Sequence, residues 1–275
     1  MSQFRWSGSM LYMGELIHSS SIPWHYAPVW IAVTSPIAIL VLFLSGIFST
    51  VLEIKVKGAA FLSERNNRID LAITLLFFGP LLAVIQFNSV LYNGWRHLYF
   101  IYPAMIWISI RGLKSLWEYS SVSKKSKWIT YVIIVLGVIN ATEVVHFMIK
   151  YHPHQSVYFN QLAGNVEKNF ERDYYGVSYK KALTLLLSQE KSDTLKIFSL
   201  DFIGQINRMN FTKEEAERLY FVENIEEADY FVTLRNFRND LEYNKFLQKK
   251  FPYNKQKVVD IYVNKYNVIE IFKIK

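Results

Sequence analysis

An arginine and a histidine stand side by side where a polar turn runs into an apolar segment: residues 92–105 read YNGWRHLYFIYPAM. A guanidinium at the mouth of a membrane helix can hold a phosphate through bidentate, charge-assisted hydrogen bonds. The competing reading of Arg96 is snorkelling, in which a long cationic side chain near a helix end reaches the interface with no ligand. The adjacent His97, the Asn93-Gly94 turn and the lack of any other charge nearby keep the phosphate reading level with it. A second candidate is Trp24-His25-Tyr26, set between Pro23 and Pro28. The two prolines forbid a continuous helix there. The aromatic residues fit either a headgroup-level belt or a loop that faces a substrate.

Three further groups are weaker. His152-Pro153-His154, with His146 upstream, has the residue types of a metal site and would place both imidazoles on one side of an extended segment. No further His or acidic cluster completes a ligand set, so no metal and no other cofactor is expected, a divalent ion being the alternative. Glu143 falls within an apolar run, where a carboxylate is a functional candidate unless it lies near the interface. Residues 165–179, NVEKNFERDYYGVSY, read as a polar aromatic loop suited to carbohydrate or headgroup contacts, or to ordinary loop packing.

The elements that must position these residues follow from apolar runs and charge. Of 275 residues, 51% are hydrophobic and none is cysteine, which excludes disulfides and thiolate metal sites. Residues 1–150 carry 12 Lys and Arg against 6 Asp and Glu, and residues 151–275 carry 19 against 17. The net charge of +8 therefore belongs mainly to the apolar half, and no concentrated basic face implies a nucleic-acid partner. Apolar runs at about 29–52, 71–90, 98–110 and 129–149 predict about four transmembrane helices across a core of about 30 Å, the third of them short. Pro36 and the Gly79-Pro80 pair predict kinks, with the freed carbonyls met by neighbouring groups.

Basic residues crowd the connections after the first and third runs: Lys55, Lys57, Arg65 and Arg68, then Arg111, Lys114, Lys124, Lys125 and Lys127. The positive-inside rule puts both on the cytoplasmic side. Both termini, the Trp24 loop and Arg96 are then extracytoplasmic, in an integral protein of the inner or plasma membrane. Residues 1–28 read as an outer loop and 29–150 as the membrane region. From residue 151 the pattern changes to a helix near 178–187, a strand over 193–200 and a helix over 213–219 capped by Thr212. A strand over 229–234 follows, then a hairpin of 257–263 with 268–274. The fold class is thus a polytopic α-helical membrane protein with a C-terminal extracytoplasmic α/β (α+β) domain.

Three stretches together resemble one family. Ile22-Pro23-Trp24-His25-Tyr26 with Trp30 and Thr34-Ser35-Pro36 is similar to a loop-to-helix segment of C-type (GT-C) polytopic membrane glycosyltransferases, in their protein O-mannosyltransferase-like (family 39-like) branch. Tyr92-Asn93-Gly94-Trp95-Arg96-His97 with Tyr102-Pro103 resembles their later arginine-bearing loop. His152-Pro153-His154-Gln155, Tyr158-Phe159-Asn160, Asp173-Tyr174-Tyr175-Gly176 and Ser178-Tyr179 resemble the junction into an outer domain in bacterial members. The resemblance covers roughly residues 10–185. It implies transfer of a sugar from a polyprenyl-phosphate donor to an extracytoplasmic acceptor. Arg96 and His97 would meet the lipid phosphate, and Trp24, His25 and Tyr26 would face the substrate. The family's acidic base lies in an earlier outer loop and has no counterpart here, so no catalytic residue is named. The expectation is a C-terminal portion completed by a missing N-terminal half or a partner subunit. The alternative is a non-catalytic membrane-anchored protein whose outer domain binds a partner or an envelope glycan.

Overall fold

The computed structural model describes residues 8–122, 127–235 and 251–275. The chain divides into two compact units. One gathers Leu16–Phe147 with Phe159–Gly164, and the other gathers Leu11–Glu15, Met148–Tyr158 and Asn165–Lys275. The stretch expected as an outer loop contains a short hairpin, β1 (Ser9–Tyr12) and β2 (Glu15–His18). It turns through Met13 and Gly14, both at positive φ.

The first unit is helical: α1 (Tyr26–Thr34), α2 (Ile37–Lys57), α3 (Arg65–Gln86), α4 (Tyr102–Val122) and α5 (Lys127–Lys150). Three helical stretches are long and apolar enough to cross a membrane: Ile37–Ser63, Arg65–Gln86 and Lys127–Lys150. Their side chains are largely exposed, as expected of surfaces that meet lipid instead of water. The expected third span at 98–110 takes another form. It opens as a 3₁₀ segment, Arg96–Ile101, and continues as α4, which carries Arg111, Lys114 and Glu118. Pro80 lies inside α3, and the helix runs on through it.

The first span differs from expectation at Pro36. Instead of a kink within one helix, the chain breaks at Ser35-Pro36, where Ser35 is extended and Pro36 has ψ 136, and α2 starts afresh. Proline has no N–H to give the carbonyl four residues back. That carbonyl, on Ala32, accepts from Asn160 Nδ2 at 2.6 Å. The same amide donates to Ser35 O at 2.6 Å, and the Asn160 backbone N–H donates to Val33 O at 2.9 Å. One residue from the Tyr158-Phe159-Asn160 motif thus satisfies three carbonyls at the break.

α2 and α4 pack backbone to backbone. A Cβ added to Gly46 would overlap the Ile108 carbonyl, and one added to Gly112 would overlap the Leu42 carbonyl. Small residues of this kind let membrane helices approach closely. Ser109 Oγ, within reach of Ile39 O at 3.2 Å, and the Phe43–Phe77 ring pair at 4.8 Å tie α2 to α4 and α3.

The second unit holds α6 (Val166–Asn169), α7 (Ser178–Gln189), α8 (Ile203–Asn207) and α9 (Lys213–Arg218) around a five-stranded sheet. Its strands are β3 (Leu195–Ser199), β4 (Leu219–Phe221), β5 (Tyr230–Leu234), β6 (Gln256–Val263) and β7 (Tyr266–Lys273), in the order β4-β3-β5-β7-β6. β3 runs parallel to β4 and β5, while β5–β7 and β7–β6 are antiparallel. This mixed α/β sheet matches the expected class. The three-residue β4 was hidden because it follows α9 with no turn signal. Thr212 caps α9 in a complete capping box with Glu215. Leu183, Leu186, Ile197 and Ile271 are fully buried, and Phe231, Phe272 and Tyr253 form an aromatic cluster with Phe198.

Candidate functional site

The loop that carries Tyr26 and the turn that precedes Arg96 meet at the start of α1. Tyr26 is fully buried, and its hydroxyl accepts from the Gly94 N–H at 3.0 Å. The same hydroxyl lies 3.2 Å from Tyr92 O and 2.8 Å from Met10 Sδ. A phenol has one proton and two lone pairs, so it donates to one of these at a time while accepting from Gly94. Gly94 takes φ +75, a value that side-chain-bearing residues seldom adopt, which lets the chain reverse under Tyr26. At the other end of α1, Trp95 Nε1 donates to Thr34 Oγ1 at 2.9 Å. The loop before α1 and the turn before Arg96, some 66 residues apart in sequence, are thus bonded to each other.

Arg96 and His97 both pack on Tyr92. The guanidinium sits 4.1 Å from the ring centroid, a cation–π contact, and the imidazole centroid lies 4.5 Å away. Partial burial, and then the neighbouring Arg96 charge, hold His97 below its ordinary pKa of 6.5. At pH 7 it is therefore neutral, offering one N–H and one lone pair. A fixed cation beside a neutral imidazole can bind an anion and pass a proton.

Trp24 is 69% exposed and meets His25 edge-on at 5.5 Å, so the expected substrate-facing loop keeps its indole outward. Trp24 and Tyr26 also line a cleft with Ile85 and Asn88 of about 20 Å³, room for a single water. Larger spaces lie elsewhere in the unit. Glu143 and Asn140 of α5 line an apolar cavity of about 330 Å³, where Gln161 Nε2 donates to Glu143 Oε1 at 3.3 Å.

The motifs of the second unit turn out to hold the fold. Asp173 accepts from Val177 N at 3.1 Å, Ser178 N at 2.8 Å and Ser178 Oγ at 2.5 Å, anchoring the start of α7. The Tyr179 hydroxyl lies 2.8 Å from Ser199 Oγ and donates to Asp201 Oδ2 at 2.9 Å, at the carboxyl end of β3. Burial first, and then the Asp201 charge, raise this phenol well above 10, so it stays a proton donor. The stretch 165–179 is therefore ordered packing and not an open loop. The two imidazoles expected on one side are in unlike settings: His152 is exposed and 2.8 Å from Gln155, while His154 is buried. Among the described residues no three His, Cys, Asp or Glu side chains gather as metal ligands.

Asn160 is the positioning residue that sequence reading missed, although its motif was noticed. The signal was Pro36, whose missing N–H demands a donor from elsewhere. No family model, no curated protein and no solved structure matches this chain.

Proposed function

We propose that the chain forms part of a membrane glycosyltransferase that takes a sugar from a polyprenyl-phosphate donor, with Arg96 holding the lipid phosphate and His97 beside it. The observation that carries this reading is the Tyr26 hydroxyl bonded to Gly94. It joins the Trp24-His25-Tyr26 loop to the Arg96 turn, the two segments in which the resemblance lies. A departing lipid phosphate needs fixed positive charge, and Arg96 held against Tyr92 supplies it without reorganisation. In this reading the site and the α/β unit are extracytoplasmic, the helices cross the membrane about four times, and the acidic base comes from outside this chain.

The test is transfer from labelled polyprenyl-phosphate hexoses in membranes. Arg96→Ala should lower transfer by about 10²–10³-fold, the usual loss for a deleted charge-stabilising donor, while insertion and expression stay normal. Undiminished transfer by that variant would remove the phosphate role. The second reading, a non-catalytic anchor whose α/β unit binds a partner or an envelope glycan, rests on the self-contained sheet core around Phe231 and Ile271. Glycan binding that persists when Arg96 is replaced, in membranes that show no transfer, would favour it.

A further inference from the structure

α5 buries a single side chain among its described residues, Phe147, and leaves a gap toward α2 and α4. The gap is a cavity of about 330 Å³, walled by Ile37, Val41 and Leu42 of α2, Leu116 of α4, and Ile133 and Leu136 of α5. An apolar cavity of about 150 Å³ stays dry and takes benzene, so this one has room for on the order of a dozen carbons. Past Leu42, Ile133 and Gly137 it adjoins a cavity of about 620 Å³ against Trp117, where Lys114 and Glu118 pair at 3.8 Å. α2 and α5 are both long and apolar enough to cross a membrane, where the solvent at such an opening is hydrocarbon and not water.

One end of the 330 Å³ cavity is polar. Asn140 and Glu143, three residues apart, share a face of α5 and both line it. Glu143 Oε1 accepts from Gln161 Nε2 at 3.3 Å, which leaves the second carboxyl oxygen open. The Asn140 amide makes no hydrogen bond among the described residues. At 1.5 Å per residue it lies about 20 Å from Lys127 and about 15 Å from Lys150, well inside the span. A carboxamide unpaired at that depth costs free energy until a partner arrives. No Lys, Arg or His is among the residues that line this cavity. A phosphate would therefore meet a carboxyl group and no cation, at a depth where charge is expensive. An ammonium group would answer Glu143 but accept nothing from Asn140. A neutral hydroxyl does both, giving its proton to Glu143 and taking an N–H from Asn140.

We infer that this cavity binds a neutral lipid with a free hydroxyl, of the diacylglycerol type. One hydrocarbon chain lies between α2 and α5, and the hydroxyl sits between Asn140 and Glu143. The site does not depend on the glycosyl-transfer reading, whose donor carries a phosphate.

The test uses the full chain purified in detergent. The probes are diacylglycerol, the same molecule with its hydroxyl acetylated, phosphatidic acid of matched chains, and a polyprenyl phosphate. Retention is read by native mass spectrometry. Diacylglycerol should be retained about tenfold better than its acetylated form, the difference expected when a polar group is left unpaired, and better than either phosphate. Asn140→Leu keeps the wall apolar and should bring diacylglycerol down to the level of the acetylated form. A Cβ at Gly137 meets nothing within 4 Å, so Gly137→Leu takes up cavity space without a clash and should lower retention of both by about tenfold. Equal retention of diacylglycerol and its acetylated form by the wild-type chain, or an unchanged ratio in Asn140→Leu, would overturn the hydroxyl site. Retention unchanged in Gly137→Leu would overturn its place beside α5. A preference for phosphatidic acid or the polyprenyl phosphate would overturn the neutral class.

Discussion

At the scale of single residues, two buried side chains bear on stability in opposite ways. Asn160 bonds the carbonyls exposed by Pro36, so its amide acts as a missing piece of helix. Asn160→Leu should destabilise the helical unit by about 1–3 kcal/mol for each carbonyl left unpaired. Asn160→Asp should be no better, since a carboxylate would face carbonyl oxygens with nothing to donate. Thermal unfolding of the full chain in detergent reads both, and a wild-type midpoint for Asn160→Asp would refute the donor role. His154 is the other case. It is 1% exposed, and neither ring nitrogen makes a hydrogen bond among the described residues. Burial holds its pKa below the ordinary 6.5, with Asp173 acting against that and Lys181 and His152 with it. An unfolded chain then takes up the proton before the folded one does. Stability is full above pH 6.5 and falls as the pH drops toward the lowered folded value. His154→Phe should flatten the decline in unfolding midpoint between about pH 7.5 and 5. An unchanged slope would mean that His154 is not the group being titrated.

At the scale of elements, the α2–α4 contact is the most constrained surface in the helical unit. Gly46 and Gly112 let carbonyls of the opposite helix lie where a methyl group would stand. Gly46→Ala or Gly112→Ala should therefore cost about 1–3 kcal/mol by forcing the helices apart, despite the better helix propensity of alanine. Gly137 of α5 is the control: a Cβ there meets nothing within 4 Å, so Gly137→Ala should be neutral or stabilising. Melting curves for the three variants would separate close packing from propensity. If all three behaved alike, the close approach would carry no energetic weight.

At the scale of the whole molecule, two units with different solvents share one chain. The helical unit shows lipid-sized apolar faces, while the α/β unit buries its large side chains in a sheet core of its own. A fragment of residues 148–275 should therefore unfold cooperatively in water without detergent. It would lack Tyr12, whose ring packs edge-on against Phe170 at 6.2 Å, so its midpoint should lie below that of the α/β unit in the full chain. A broad, non-cooperative transition in the fragment would show that the core around Phe231 does not suffice.

The sequence by itself determined what depends on local runs. These are the apolar stretches of three membrane-length helices, the Thr212 cap, the β6–β7 hairpin and the change of character near residue 150. Each is written within about 25 residues, because hydrophobic period and capping act over that range. Only the tertiary structure decided what depends on residues far apart. Pro36 predicted a carbonyl in need of a donor, but Asn160, 128 positions from that carbonyl, had to be brought there by folding. Arg96 and Tyr26 were each visible as candidates, yet their connection through Gly94 spans 68 positions. The stretch 165–179 was open between ligand contacts and ordinary packing, and its Asp173 became a helix anchor, since its partners are N–H groups that point at it only once α7 has formed. Hydrogen-bond partners over such separations are chosen by the packed chain, not by the spacing of letters.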